Sequence, residues 1–355
     1  MYRTLLPVLI FAFSCGSSNS DILHSNDDPD HKYSDSLYIL AVELMNDRNY
    51  SDALLVLHEV LNRDSQHAYY YNDISSCYFH LDSLKKSEEY AGKAIELDPN
   101  YSKPYNIKAL LQVEANRFKE ALNSFNQAIE LNPQVPEYYY NRGKLYLNQF
   151  EEYSKSFDDF SKAIEMGYKT SAIFNFKGVS NSRLNNELEA IEDYSKSIAL
   201  DSTNAYSYRN RSTSFNRIGK FDKALDDLEV AISLEPKNQK GYSFRGRLLM
   251  QHDLYDEALR DFNKAIDLDS SNYQNYLYRG NTYYFIHRYN EAIADYDVAL
   301  RLNPDDLEIL YSKGSAYLML GELSESGSIF KHINTIEPNF RDVVELLEKT
   351  EKSAH

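Results

Sequence analysis

Tryptophan is absent from the 355-residue sequence, and cysteine, glycine and proline are scarce, with two, 12 and nine residues. Two cysteines cannot form the disulfide framework that holds small secreted domains together. The shortage of glycine and proline argues against a turn-rich β-fold and favours helices. Basic residues are also in deficit, since 38 bases face 54 acids and give a net charge of −16. A chain of this charge repels phosphate backbones, so we expect no binding to nucleic acid.

The sequence patterns of common catalytic sites are missing as well. It contains no glycine-rich phosphate loop, no G-x-S-x-G nucleophile elbow and no H-E-x-x-H zinc motif. The histidines are scattered without the spacing of metal ligands. We therefore expect no enzymatic activity, no cofactor and no bound metal.

The longest apolar run near the start, from Leu5 to Phe13, is nine residues long, whereas a membrane-spanning helix needs about 20. With Arg3 before it and small residues after it, the run has the layout of a secretory signal peptide. The stretch Ala12-Phe13-Ser14-Cys15 resembles the lipobox of bacterial lipoproteins. This resemblance implies a signal peptide over residues 1–14, a lipid on Cys15, and a membrane-anchored protein on the periplasmic or surface side of the bacterial envelope. An ordinary signal peptide, and hence a secreted protein, is the alternative.

Residues 15–33 are rich in Gly, Ser, Asn and Asp and poor in apolar side chains. Such a segment cannot bury enough apolar surface to fold by itself. We expect it to be a flexible tether between the lipid and the folded part.

From Ser34 to Phe340 the sequence repeats roughly every 34 residues, and nine copies can be aligned. The fourth position of a copy is aromatic or large and apolar, the eighth and twentieth are usually small, and the 24th is mostly aromatic. Apolar residues spaced three and four apart predict one buried stripe on each of two helices. We expect the small residues to let these two helices approach closely. The eighth position is occupied by Ala41, Ser75, Ala109, Gly143, Gly178, Ser212, Gly246, Gly280 and Gly314.

This pattern resembles the tetratricopeptide (TPR) repeat family. The resemblance implies an all-α fold, a right-handed superhelical solenoid of nine helix-turn-helix repeats over residues 34–340, with a capping helix and tail over residues 341–355. The departures are small: Tyr, Phe or Leu replaces Trp at the fourth position, and the fourth repeat has one extra residue in the turn around Gln149 to Tyr153.

A charge pattern recurs within the repeats. Each repeat with Asp at its 23rd position has Lys or Arg at its seventh, which predicts a structural ion pair between its two helices. The predicted pairs are Arg142 with Asp159, Lys177 with Asp193, Arg211 with Asp227, Arg245 with Asp261, and Arg279 with Asp295.

The geometry of the TPR family places repeat positions 2, 5, 9, 12 and 13 on a concave groove. In repeats five to seven the charged residues at these positions are all basic, although the whole chain is acidic. We predict that this groove binds a protein partner through an acidic segment or a C-terminal carboxylate. The predicted groove residues are Asn175, Arg183, Tyr206, Arg209, Asn216, Arg217, Lys240 and Arg247.

The function that the sequence favours is a non-catalytic scaffold, an envelope lipoprotein that binds a partner peptide or helix in its groove. The alternative is a structural subunit of an outer-membrane assembly or pilus-type machine. A chaperone-type carboxylate clamp needs Lys, Asn and Arg at set groove positions, and no three adjacent repeats carry that set.

Overall fold

The computed structural model describes residues 29–338 and 340–352. Within these residues every regular element is a helix, and the prediction of an all-α repeat fold is confirmed. The chain divides into two compact units, residues 1–185 and 186–355, described separately below.

In the first unit the helices follow one another as antiparallel pairs joined by short turns. The packing of each pair, α1 with α2, α3 with α4, and so on, is tighter than the packing between pairs. The helices are α1 (Pro29–Asn46), α2 (Tyr50–Arg63), α3 (Ala68–His80), α4 (Leu84–Leu97), α5 (Lys103–Glu114), α6 (Phe118–Leu131), α7 (Pro136–Leu145), α8 (Tyr153–Glu165) and α9 (Ser171–Arg183).

The second unit continues the same alternation of first and second helices. Its last helix, α19, packs on α18, and Val343 is buried beside Phe330 and Ile333. The helices are α10 (Glu187–Leu200), α11 (Ala205–Arg217), α12 (Phe221–Leu234), α13 (Gln239–Gln251), α14 (Tyr255–Leu268), α15 (Tyr273–Phe285), α16 (Tyr289–Leu302), α17 (Leu307–Leu320), α18 (Leu323–Ile336) and α19 (Val343–Lys352).

The small residue at the eighth position decides how closely the two helices of a repeat approach. A Cβ atom built on Gly246 would lie 2.8 Å from Cε1 of Phe262, and one on Gly280 would lie 2.7 Å from Cε1 of Tyr296. Both rings are almost fully buried. The predicted close approach is therefore confirmed, and the aromatic residue at the 24th position occupies the space that the missing side chain leaves.

Each repeat turns from its first helix to its second through one residue in the left-handed region. This residue stands at the 15th position in eight repeats, and only two of the nine such residues are glycine. The residues are Arg48, Asp82, Asn116, Glu151, Asn185, Gly219, Asp253, His287 and Gly321, with φ between 53° and 81°. A left-handed C-terminal residue ends a helix within one residue, which keeps the turns short.

Four of the five predicted ion pairs are confirmed, and each is bidentate. In Arg211, for example, Nε and Nη2 donate to the two carboxylate oxygens of Asp227 at 2.8 and 2.7 Å. The fifth pair, Lys177 with Asp193, spans the two units and stays a prediction.

In three of these four pairs the arginine also reaches back to the preceding repeat. Its Nη1 donates to a neutral oxygen at the 25th position of that repeat, so the residue joins three helices. The contacts are Arg142 to Asn126 (2.8 Å), Arg211 to Ser195 (2.9 Å) and Arg279 to Asn263 (2.6 Å).

The extra residue of the fourth repeat is accommodated as a π-helical turn, Tyr146–Phe150, that follows α7. A π-turn takes in one additional residue without breaking the helix. The left-handed residue of this repeat, Glu151, is accordingly displaced by one position.

The predicted signal peptide, Cys15 and residues 15–28 of the predicted tether lie outside the described residues. Residues 29–33 of that tether are helical, because α1 begins at Pro29 and not near Ser34. Proline suits a first helical position, where its missing N–H needs no partner. No described helix is both long enough and apolar enough to cross a membrane.

Candidate functional site

The predicted groove residues of the second unit lie on its first helices α11 and α13. We call Tyr206, Arg209, Asn216, Arg217, Lys240 and Arg247 the α11–α13 face. Asn204 caps α11 by accepting from Ser207 N, and Asn238 caps α13 by accepting from Lys240 N. These caps fix the starts of the two helices and thereby the register of Tyr206 and Lys240.

Three of these residues meet at one tyrosine ring. The guanidinium carbon of Arg209 lies 4.5 Å from the centre of the Tyr206 ring, and Nζ of Lys240 lies 6.0 Å from it. Cations at these distances are attracted by the ring. Tyr206 is 41% exposed, so the ring presents an open surface beside two positive charges.

Arg209 is not the free groove cation that its position predicts. Its side chain is buried, and its Nη1 donates to Oε2 of Glu235 at 3.0 Å. Glu235 is held in turn by Asn238, whose Nδ2 donates to the same oxygen at 2.7 Å. The positive charge of Arg209 is therefore already balanced by an acid from the loop between α12 and α13.

Asn216 joins neighbouring repeats instead of offering a free amide. Its Nδ2 donates to Oε1 of Gln251 at 2.8 Å, and its Oδ1 lies 2.9 Å from Nε2 of His252. Both ends of the Asn216 amide are therefore engaged within the repeats.

Arg217 and Arg247 differ in the partners of their guanidinium groups. Nη1 of Arg217 donates to Oε1 of Glu187 at 2.6 Å. Arg247 instead lies over two aromatic rings, 4.9 Å from the centre of Tyr278 and 5.7 Å from that of Phe244. Among the described residues, neither Arg247 nor Lys240 has a carboxylate within ion-pair distance, so these two carry the unbalanced charge of the α11–α13 face.

The remaining predicted groove residues, Asn175 and Arg183, belong to the first unit. Asn175 is buried, whereas Arg183 is exposed and lies 6.0 Å from the Tyr153 ring.

The first unit buries polar groups at the corresponding positions of its first helices. The hydroxyl of Tyr38 donates to Oδ2 of Asp73 at 2.7 Å, and Nδ2 of Asn72 donates to Oδ1 of Asp73 at 2.9 Å. Burial raises the pKa of the Asp73 carboxyl, although both hydrogen bonds and nearby Lys103 oppose the shift. Burial also disfavours the charged form of Lys144 and lowers its pKa to about 7, although the nearby carboxylate of Glu114 opposes this shift. These buried groups offer no accessible charge.

An open depression of about 710 Å³ lies beside the α11–α13 face. It is lined by Glu235, Asn238, Lys240 and further residues of the α12–α13 loop, together with Leu268 and Asp269. Across the described part of the chain no group of three or more His, Cys, Asp or Glu side chains is placed to hold a metal ion.

Family models match four segments that follow the helix pairs described above. A model described as TPR repeat matches residues 109–149 and 288–321, and two described as tetratricopeptide repeat match residues 68–101 and 211–273. These four segments are similar to tetratricopeptide repeats, and both units contain such segments.

The curated relatives share only part of the TPR array. Over 95 residues the chain is 25% identical to the Hsp70-Hsp90 organizing protein of Triticum aestivum, which covers 27% of this chain and 16% of that protein. The chain thus spans less than a fifth of this relative.

Solved structures resemble the fold of the TPR array more widely. The match to the APC/C hetero-tetramer Cut9-Hcn1 has a TM-score of 0.59 at 16% identity and covers 82% of this chain and 57% of that one. A tetratricopeptide repeat protein from Parabacteroides merdae matches with a TM-score of 0.58 at 18% identity over 71% of this chain and 99% of its own. These likenesses show the fold, a TPR-type helical array.

Glu235, in the loop beside the α11–α13 face, is the residue that sequence reasoning missed. It stands at the 31st position of its repeat, where Asp64, Asp98, Asp201 and Asp269 stand in other repeats. The available signal was the combination of a longer Glu side chain at this position with Arg209 at the fifth, since Glu235 reaches back to Arg209.

Proposed function

We propose that the chain is a non-catalytic scaffold whose α11–α13 face binds an acidic segment or a C-terminal carboxylate of a partner protein. The observation that carries this proposal is the exposed ring of Tyr206 beside Lys240, whose Nζ lies 6.0 Å from the ring centre and has no carboxylate within ion-pair distance among the described residues. An aromatic surface with charged neighbours supplies apolar contact and charge-assisted hydrogen bonds together.

The charge distribution supports an anionic partner over a neutral one. The chain as a whole carries a net charge of −16, which repels acidic proteins at a distance. Lys240 and Arg247 lack ion-pair partners among the described residues, so they create a local positive field within an acidic surface. Such a local reversal steers an anionic segment to this face and away from others.

A fluorescein-labelled hexaglutamate peptide with a free C-terminus is a direct probe of this proposal. The double variant Lys240→Glu, Arg247→Glu should weaken its binding at least tenfold, and added salt should weaken binding to the wild-type protein. The matched control is Arg260→Glu, Lys264→Glu, which makes the same charge change on exposed residues of α14. Equal binding by both double variants, measured by fluorescence anisotropy, would show that the face is not the recognition element.

We also propose that a lipid on Cys15 anchors the scaffold to a bacterial membrane. The lipobox-like sequence before Cys15 supports this proposal. Replacing Cys15 by Ser should move the protein from the membrane fraction to the soluble fraction of the cell. An unchanged membrane fraction for the Ser variant would refute the anchor.

A further inference from the structure

The ion pair between Arg209 and Glu235 is incomplete. Nη1 of Arg209 donates to Glu235, whereas its Nη2 is buried and has no hydrogen-bond partner among the described residues. Arg209 is only 2% exposed, so water at the surface does not satisfy this second nitrogen. A buried donor without an acceptor is unfavourable.

Other arginines in the chain have more of their guanidinium N–H groups hydrogen-bonded. In all four confirmed Arg–Asp pairs, two guanidinium nitrogens donate to the two oxygens of one carboxylate, as in Arg245 with Asp261 at 2.8 Å each. Glu235 instead gives a single oxygen to Arg209 and shares that oxygen with Asn238. Glu235 is thus a poorer partner for this guanidinium than a carboxylate that approached both nitrogens.

Glu235 is also the exposed member of the pair. Its side chain is 34% exposed, against 3% for that of Arg209, and both Glu235 and Lys240 line the open depression beside the α11–α13 face. Movement of Glu235 alone would therefore open the guanidinium toward the depression, while Arg209 stays fixed against Tyr206.

We propose that Glu235 occupies the place of a ligand carboxylate, and that a partner's carboxylate displaces it to bind Nη1 and Nη2 of Arg209 together. Lys240 then supplies a second positive charge, and Asn238 retains the displaced Glu235. The inference rests on the proposed function, since it names the ligand group and the internal competitor of the same face. It defines the ligand as a carboxylate, from a C-terminus or from an acidic side chain.

The variant Glu235→Asp tests this competition without changing the net charge. The shorter side chain should not reach Arg209, and Asp is the residue found at this position in four other repeats, so we expect the loop to accept it. The labelled hexaglutamate peptide should bind this variant about five- to tenfold more tightly than the wild-type protein. Glu235→Gln should tighten binding about tenfold, because a neutral amide competes weakly for a guanidinium.

Glu257→Gln is the matched control for charge. Glu257 pairs with Arg260 at 3.2 Å on α14, and its loss changes the net charge by the same amount as Glu235→Gln. Binding to this control should stay within twofold of wild type. Two further peptides separate the sources of the carboxylate: the C-terminal amide of hexaglutamate lacks the terminal carboxylate, and hexaglutamine lacks the side-chain carboxylates.

The outcomes separate this inference from the proposed function. Tightening by both Glu235 variants supports the competition. If only Glu235→Gln tightened binding, the change in net charge would explain the effect, and the proposed competition would be wrong. If the wild-type protein binds the peptide and both Glu235 variants bind equally or more weakly, the competition is wrong and the basic face stands. If no variant binds any of the peptides while circular dichroism shows that all are folded, both proposals are wrong.

Discussion

Alanine in place of Gly246 tests how closely the two helices of a repeat approach. The added Cβ atom would lie 2.8, 3.0 and 3.1 Å from three carbon atoms of the Phe262 ring. The ring is fully buried, so it cannot swing into solvent to make room. Gly92, within α4, provides the matched control, because a Cβ atom there would meet nothing within 4 Å.

The two substitutions should shift stability in opposite directions. Alanine within a helix is more favourable than glycine by about 0.5–1 kcal/mol, so Gly92→Ala should stabilise the protein by about that amount. Gly246→Ala gains the same helix stability, but its methyl group overpacks the contact between α13 and α14, which costs about 1–3 kcal/mol. We therefore expect Gly246→Ala to be about 1–3 kcal/mol less stable than Gly92→Ala. Gly246→Leu should be worse, by about 3 kcal/mol or more.

The assay must resolve single repeats, because repeat arrays open locally as well as globally. Hydrogen exchange of α13 and α14 amides reports the affected repeat, and urea unfolding followed by circular dichroism reports the whole chain. Faster exchange should be concentrated in these two helices for Gly246→Ala. Equal or greater protection in this variant than in Gly92→Ala would refute the close approach of α13 to α14.

Arg211→Ala should destabilise the second unit by about 3–5 kcal/mol in urea unfolding, because it leaves the carboxylate of Asp227 buried and unpaired; a loss below about 1 kcal/mol would mark the pair as a surface contact. Glu151→Gly should raise the melting temperature. It removes the strain of a non-glycine residue in the left-handed region, about 1–2 kcal/mol, which exceeds the entropy that an added glycine loses on folding, about 0.5–1 kcal/mol. A lower melting temperature would contradict this. Burial raises the pKa of Asp73 in the folded state. At a pH between the unfolded and the folded pKa, the folded state therefore holds a proton that the unfolded state has released. The contribution of Asp73 to stability should therefore fall as pH rises above its unfolded pKa of about 3.9, and Asp73→Asn should remove this slope from unfolding curves measured across pH 4–7.

The helices were predictable because their signals repeat. Small residues such as Gly246 and Gly280 recur at one position, and their meaning follows from helix periodicity. The arginine–aspartate pairs were predictable for the same reason, since the base and the acid occur in the same repeats. The start of α1 was not, because residues 29–33 lack an apolar stripe and fall before the first recognisable repeat.

The candidate site was less predictable because its decisive contacts occur once. Position 5 was expected to face a groove, yet Arg209 there is buried. Its partner Glu235 is 26 residues later in a loop, and no second repeat shows the same combination to reveal it. Tyr206, at position 2, is exposed as predicted. Position within a repeat therefore predicts the backbone, whereas burial at a given position depends on the particular neighbours.

The backward reach of the arginines has a consequence for the growth of the array. The donor at each such junction is the arginine of the later repeat, and the acceptor is a neutral oxygen of Asn126, Ser195 or Asn263 in the earlier one. An amide and a hydroxyl serve equally, so the junction demands little of the preceding repeat. A duplicated or deleted repeat would meet its new neighbour through the same kind of contact. At these three junctions a repeat could therefore be duplicated without a new contact having to be built, whereas the junction before Arg245 differs because the acid Glu229 stands at the acceptor position.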